Sequence, residues 1–288
     1  MTDMSEPLTP SLLQERRDFY LMLAQAFLPP QSEDRFRAMA DFMADDLVDL
    51  DAALGYGIGD YVDALRRTMS RLSTQEALLV EYSRLFLQPP REATLNVCYA
   101  LDGAMNGGTV SEIEGFYRVY GVDRGEHFKD LPDHVAVQLE FVAYLFGRAA
   151  DGLENGAADA EAEKGARHFL FQFVSRWLPH FEGAVEAGGQ RLELANPWLP
   201  LTRMLAAAVA RDAMPNSDWI REKKRVDVAM DKARQMYAAK GITPEALADI
   251  ERKLREQGLA TDHLQIAPES RDAAMGLTAK TPPDPRRK

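Results

Sequence analysis

Residues 131–146 read Leu-Pro-Asp-His-Val-Ala-Val-Gln-Leu-Glu-Phe-Val-Ala-Tyr-Leu-Phe, and this stretch decides the fold class. Its apolar residues recur at helical spacing, and the pattern continues to about Ala150. The residues at its start are typical of a helix beginning, with Asp130 as the predicted N-cap, Pro132 in the first turn and Asp133 three residues past the cap. The sequence therefore predicts a long amphipathic helix opened by a polar cluster.

The same helical spacing extends from this stretch in both directions. Helices are predicted over residues 11–28 and 74–87, and others are predicted to begin at Ser32, Asp60, Ser111 and Pro197. One further helix is predicted to end near Pro179, and its pattern continues until Gly188-Gly189 breaks it. Loops are predicted over residues 88–108 and 121–131. No stretch alternates with a period of two in β-branched residues, so no sheet is expected. The predicted fold class is all-α, with about ten helices.

Composition and charge limit the kinds of binding partner and the cellular compartment that suit this sequence. The net charge of −11 divides into −14 for residues 1–212 and +3 for residues 213–288. An acidic body disfavours nucleic acid and favours a basic peptide, although acidic surfaces also serve solubility alone. The single cysteine, Cys98, suits a reducing compartment, and no apolar run reaches the roughly 18 residues that a membrane span needs. Arg16-Arg17 superficially resembles an export signal, but the helical face begins upstream of it. We therefore expect a cytoplasmic protein.

The sequence lacks the common motifs for catalysis and for cofactor binding. The sequence contains no phosphate-binding Gly-rich loop, no His-Glu-x-x-His and no Gly-x-Ser-x-Gly elbow. None of the five histidines has a glutamate three residues before it, as a helical dimetal site requires. No catalytic residue, metal site or cofactor is therefore predicted. Two alternatives stay open: an all-α metal-dependent enzyme with scattered His and Glu ligands, and an interaction scaffold acting through residues 213–288.

The polar cluster before the long helix has two interpretations. Asp133 and His134 can exchange hydrogen bonds with a peptide or its arginines at the mouth of an inter-helix loop. A well-capped helix without any functional role explains the same residues. Pattern alone does not decide between them.

Several blocks in order resemble the TorD/DmsD family, the dedicated chaperones for molybdenum-containing redox enzymes exported by the twin-arginine route. The blocks are Arg17-Asp18-Phe19-Tyr20 through Pro29-Pro30, Glu81-Tyr82-Ser83-Arg84-Leu85-Phe86, Phe116 to Gly121, Leu131 to Phe141, Trp177-Leu178-Pro179 and Pro197 to Arg203. Together they cover about residues 12–212. Two departures stand out: residues 95–99 differ from the family's usual loop, and residues 213–288 have no counterpart in it.

The resemblance implies two helical lobes joined by a hinge loop near residues 121–134. It also implies a chaperone that binds the twin-arginine signal peptide, the apo form of a molybdoenzyme precursor, or both, as a monomer or homodimer. The implied organisation is a flexible N-terminus (1–10), a TorD-like domain (11–212), a charged helical extension (213–258) and a disordered tail (259–288). The residues predicted to bind the client are Pro132, Asp133, His134, Tyr82, Phe86 and Glu140.

Overall fold

The computed structural model describes residues 8–103, 107–122, 131–156 and 159–215, all of which belong to the unit Met1–Pro215. The predicted extension and tail lie outside the described residues from position 216 onwards. Within the described ranges the chain is helical and contains no strand, so the all-α fold class is confirmed. No helix in these ranges is both long and apolar enough to cross a membrane.

Nine helices make up the described part of the chain. They are α1 (Pro10–Ala26), α2 (33–54), α3 (Gly59–Met69), α4 (75–87), α5 (Tyr99–Asp102), α6 (Gly108–Val119), α7 (Val135–Glu154), α8 (160–191) and α9 (Trp198–Asp212). Three of them contain a π-helical turn: Ala38–Phe42 in α2, Ser83–Leu87 in α4 and Leu170–Val174 in α8.

Local sequence explains where several helices begin. Thr9, Ser32 and Thr74 each accept a hydrogen bond at their side-chain oxygen from the backbone N–H three residues later, which satisfies one of the free amides of the first turn. The predicted cap at Ser32 is confirmed. At the other end of α2, Gly55 adopts a left-handed conformation with φ 63°, which closes the helix.

Helices α1 and α7 form an antiparallel pair at the centre of the fold. Gln14 donates a hydrogen bond to Glu154 at one end of the pair, and Gln25 donates to Glu140 at the other. The apolar face of α1 between these bonds is fully buried through Phe19 and other large side chains. Because each such side chain contributes about 1.5–3 kcal/mol on burial, this pair supplies much of the core.

An aromatic cluster joins the end of α1 to α4, α8 and α9. The Tyr82 hydroxyl donates to the carbonyl of Phe27 at 3.1 Å, and the Trp198 indole N–H donates to the carbonyl of Ala26 at 3.1 Å. The two rings are 5.5 Å apart, and each is almost completely buried. The carbonyls left free at the end of α1 thus receive their donors from buried aromatic side chains.

Helix α8 continues past two predicted breaks, at Pro179 and at Gly188-Gly189. Pro179 lies on the exposed face, where the carbonyl that loses its partner can meet water, while Trp177 and Phe181 hold the helix against the core. Gly188 and Gly189 instead allow other side chains to pack closely against the α8 backbone. A Cβ at Gly188 would lie 2.6 Å from the Cβ of Glu92. The prediction that these residues end the helix is therefore wrong.

Two further boundaries differ from the sequence prediction. The predicted loop 88–108 contains the short helix α5, and α6 begins at Gly108 rather than at Ser111. Most of the predicted hinge, residues 123–130, lies outside the described residues. The two-lobe arrangement and its hinge stay predictions.

Candidate functional site

His134 caps helix α7. Its Nδ1 accepts the backbone N–H of Ala136 at 3.2 Å, and its extended backbone (φ −62°, ψ 134°) leads into a helix that begins at Val135. The predicted position of Asp133 inside the first turn is therefore wrong, and Asp130, the predicted cap, lies outside the described residues. Because the imidazole already occupies the cap position, the Asp133 side chain points to another part of the chain.

The Asp133 carboxylate holds the loop that precedes α5. Its Oδ1 accepts from the Asn96 side-chain amide at 3.1 Å, and its Oδ2 accepts from the Cys98 backbone N–H at 3.2 Å. The backbones add two bonds: Val97 N–H donates to the Asp133 carbonyl at 3.3 Å, and Val135 N–H donates to the Leu95 carbonyl at 2.9 Å. Residues 95–98 are thus bonded antiparallel along residues 133–135.

Further hydrogen bonds from side chains of α6, α7 and α8 hold residues 132 and 133 in place. The Gln138 side-chain amide donates to the Asp133 carbonyl at 2.9 Å, and its own oxygen accepts the Trp177 indole N–H at 3.0 Å. The Tyr117 hydroxyl donates to the Pro132 carbonyl at 2.9 Å. These groups are buried, and a buried polar network stabilises one geometry only when its members are satisfied. Helices α6, α7 and α8 therefore converge on residues 132 and 133.

Burial controls the titration of this site. Desolvation raises the pKa of the Asp133 carboxyl above its ordinary value, and the hydrogen bonds from Asn96 and Cys98 partly oppose the rise. Burial, followed by the nearby charge of Asp133, raises the pKa of the Cys98 thiol to about 12. The thiol is accordingly neutral at physiological pH and is a poor nucleophile in the folded state.

A small cleft adjoins the held loop, on the side facing α8. Its volume is about 120 Å³, below the roughly 300–1,000 Å³ typical of ligand pockets, so a longer ligand requires residues 92–100 to move. Asn96 lines the cleft and bonds Asp133 behind it, and Tyr99 is 49% exposed at its edge. The lining includes Glu92, Asn96, Tyr99, Trp177, His180 and Phe181.

The structure brings only some of the six predicted client-binding residues together. Pro132, Asp133 and His134 are buried directly behind the loop, and none of the six lines the cleft. Tyr82 and Phe86 lie in the aromatic cluster, where the Phe86 ring stacks on Phe181, a cleft residue, at 6.3 Å. Glu140 accepts from Gln25 of α1, and burial raises its pKa. Contact of these six residues with a client stays a prediction.

Sequence reasoning did not select the residues that line the cleft. Asn96 and Tyr99 fall in the segment that departs from the family's usual loop. Trp177 lies in a recognised block, but its apolar character indicated only a core position. Their convergence depends on contacts between distant parts of the chain.

Within the described residues, no three His, Cys, Asp or Glu side chains form a group that could hold a metal ion. No observation in this part of the chain favours the metal-dependent alternative.

Comparison with known proteins finds a family model that matches the central part of the chain. The family model described as "Nitrate reductase delta subunit" matches residues 48–182, which include the held loop and the Asp133 segment. The chain is 27% identical over 180 residues to the chaperone protein TorD of Vibrio cholerae serotype O1 (strain M66-2), which covers 59% of this chain and 79% of that protein.

Two further relatives are assembly chaperones by name. The chlorate reductase assembly chaperone protein of Ideonella dechloratans is 29% identical over 115 residues, covering 39% of this chain and 60% of the relative. The selenate reductase assembly chaperone protein of Thauera selenatis is 28% identical over 116 residues, covering 40% and 60%. With the helical fold and the ordered sequence blocks, these matches support the resemblance of the chain to the TorD/DmsD family.

Proposed function

We propose that the protein is a cytoplasmic maturation chaperone and not an enzyme. It holds the precursor of an exported molybdenum-containing oxidoreductase, through the twin-arginine signal peptide, the apo form, or both, until cofactor insertion and folding are complete. The names of its relatives and the implications of its family support this function. The structural observation that supports it most is the loop 95–98, which lies beside a cleft and is held by the buried Asp133 carboxylate together with backbone bonds to residues 133 and 135.

The proposed mechanism depends on the groups that become accessible when residues 92–100 move. A signal peptide offers two arginines followed by an apolar stretch, which suits a groove with apolar walls and carboxylates near one end. Trp177 and Phe181 supply apolar walls, and displacement of residues 92–100 breaks the bonds from Asn96 and Cys98 to Asp133. The freed carboxylate then pairs with an arginine of the peptide, which compensates for the lost bonds. Pro132 and His134 come into reach with it.

The test is calorimetric titration of the full chain with a synthetic leader peptide. The peptide is taken from the molybdoenzyme precursor that co-purifies with the chain from its native cell. We expect Asp133→Ala combined with His134→Ala to weaken binding at least tenfold while helical content by circular dichroism stays nearly unchanged. Asp63→Asn, which removes an exposed charge on α3, serves as the charge-matched control. Unchanged affinity in the double variant removes these residues from the mechanism.

A second experiment separates the chaperone from the scaffold alternative. Deleting residues 216–288 leaves the unit that carries the cleft, including the buried Asp212 at the end of α9. A chaperone of the proposed kind still binds the leader peptide after this deletion. Loss of peptide binding with an intact circular-dichroism spectrum favours a scaffold that acts through the extension.

A further inference from the structure

The Asp133 carboxylate is already occupied by groups of the chain itself. Its side chain is completely buried, and both donors that reach it within the described residues come from one short loop. These donors are the Asn96 side-chain amide on Oδ1 and the Cys98 backbone N–H on Oδ2. A client that uses this carboxylate therefore has to replace an internal donor.

Asn96 is joined to Asp133 by its side chain. It lies opposite His134 in an antiparallel bridge, and the two backbone hydrogen bonds of that bridge are made by the neighbours on either side. In such a non-hydrogen-bonded pair, the backbone N–H and C=O of Asn96 point to the opposite edge. A substitution at this position therefore removes the amide and leaves the backbone bonds of the loop in place.

Asn96 differs from its neighbours in exposure. Leu95, Val97 and Cys98 are buried, whereas Asn96 is half-buried and lines the small cleft. Asn96 thus contacts both the cleft and the carboxylate, which does not line the cleft itself. Residues 95–99 also depart from the usual loop of the TorD/DmsD family, so the resemblance implies no role for this amide.

A neutral amide is a replaceable donor to a buried carboxylate. Its hydrogen bond is weaker than one from a cationic donor to the same oxygen. A buried carboxylate without any donor is costly, so either the loop or a client has to satisfy it. The bond from Asn96 opposes the rise that burial causes in the pKa of Asp133, so the amide favours the charged form. The closed loop thus keeps the carboxylate ionised and available to a cation.

We propose that Asn96 is an internal competitor for the client at the Asp133 carboxylate. In the empty protein, the amide holds residues 95–98 against the start of α7 and keeps the carboxylate covered. A client donor reaches Asp133 only in the open form, so the measured affinity is reduced in proportion to the fraction of molecules that are open. The amide therefore weakens client binding. This inference rests on the proposed function, which supplies the client.

The first test is calorimetric titration of the full chain with the leader peptide. Asn96→Ala destabilises the closed form and leaves the open form unchanged, so we expect binding to become at least about fivefold tighter. Thr94→Ala is the matched control, because Thr94 lines the same cleft and makes no hydrogen bond to Asp133. It should change the affinity less than twofold. Unchanged or weaker binding in Asn96→Ala, or an equal gain in Thr94→Ala, would overturn the proposal.

The second test measures opening of the loop without a client. Cys98 is buried in the same loop, so its rate of labelling by iodoacetamide reports the fraction of open molecules. Asn96→Ala should label faster by the same factor as its gain in affinity, because both quantities depend on one equilibrium. The rate should stay constant in low urea, since a local opening exposes little surface, whereas labelling through global unfolding rises with urea.

The two tests distinguish this inference from the proposed function. If neither the wild type nor Asn96→Ala binds the leader peptide, the proposed function fails, and the competition fails with it. If the wild type binds the peptide and Asn96→Ala neither binds more tightly nor labels faster, the function stands and the role of Asn96 is overturned. Faster labelling combined with weaker binding also overturns it, because Asn96 then contacts the client directly.

Discussion

The Asp133 carboxylate accepts the backbone N–H of Cys98 at 3.2 Å, across a sequence separation of 35 residues. This bond and the one from Asn96 join the loop before α5 to the start of α7. Asp133 therefore belongs to the loop contact as much as to the helix that follows it. In the proposed mechanism, the loss of these two bonds allows residues 92–100 to move away from the start of α7.

The charge of Asp133 should make stability depend on pH. Its pKa is raised in the folded state, mainly by burial, so folding favours the protonated acid. Its contribution to the free energy of unfolding is thus fullest below its ordinary pKa and is lost as pH rises through the raised value. Asp133→Asn removes this dependence, so we expect the variant to gain stability relative to the wild type as pH rises above the ordinary carboxyl pKa of 3.8. Urea unfolding at several pH values measures it; a difference that does not vary with pH contradicts the prediction.

Cys98 should report on movement of the loop. A thiol with a pKa of about 12 is only about one part in 10⁴ thiolate at pH 8, and Cys98 is also fully buried. We expect iodoacetamide to label the folded chain at least a thousandfold more slowly than the urea-unfolded chain. Binding of the leader peptide should raise the labelling rate, because the proposed mechanism displaces residues 92–100. Slower labelling in the complex would show that the loop stays closed.

The buried carboxylate of Asp212 should be among the most sensitive positions of the fold. It accepts hydrogen bonds from the hydroxyls of Tyr20, at 3.0 Å, and Tyr56, and it pairs with Arg16 at 3.2 Å. Asp212→Ala leaves these groups buried without their partner, so we expect a loss of about 3–5 kcal/mol in the free energy of unfolding. Glu33→Ala, which breaks an exposed ion pair, should cost less than about 0.5 kcal/mol. Urea titration compares the two.

Alkaline pH should destabilise the same cluster. Burial and the nearby Asp212 raise the pKa of Tyr20 well above its ordinary value of 10.0, so folding favours the protonated phenol. The stability that this group contributes is complete below pH 10 and is lost as pH rises beyond it. Tyr20→Phe should therefore be less stable than the wild type at pH 8, and the gap should narrow above pH 10. A constant gap would contradict this assignment.

Two glycines of α8 should respond in opposite directions to alanine. A Cβ at Gly189 would lie 2.1 Å from Asn196 Nδ2, so Gly189→Ala should cost about 1–3 kcal/mol through overpacking. Nothing lies within 4 Å of a Cβ at Gly183, so Gly183→Ala should stabilise the helix by about 0.5–1 kcal/mol. Thermal unfolding of the pair measures both effects. Similar gains in the two variants would show that helix propensity, and not the Asn196 contact, decides the effect at Gly189.

The amino-acid sequence alone determined the all-α class and most helix positions. These features follow from local spacing and local capping, as at Ser32, where the cap and the amide that it accepts are three residues apart. The ordered blocks also indicate the resemblance to the TorD/DmsD family. Residue identity in a short window carries this information because helix formation depends mainly on neighbours three and four positions away.

Tertiary structure decided what the polar residues do. Asp133 looked like a first-turn acid of α7 but bonds a loop 35 residues upstream, and Glu81 holds the backbone of Ala195 across 114 residues. Pro179 and Gly188 looked like helix ends, yet packing of α8 against the rest of the fold keeps them inside one helix. Each of these outcomes depends on which distant groups meet in the folded chain and how completely they exclude water, and no local pattern encodes that.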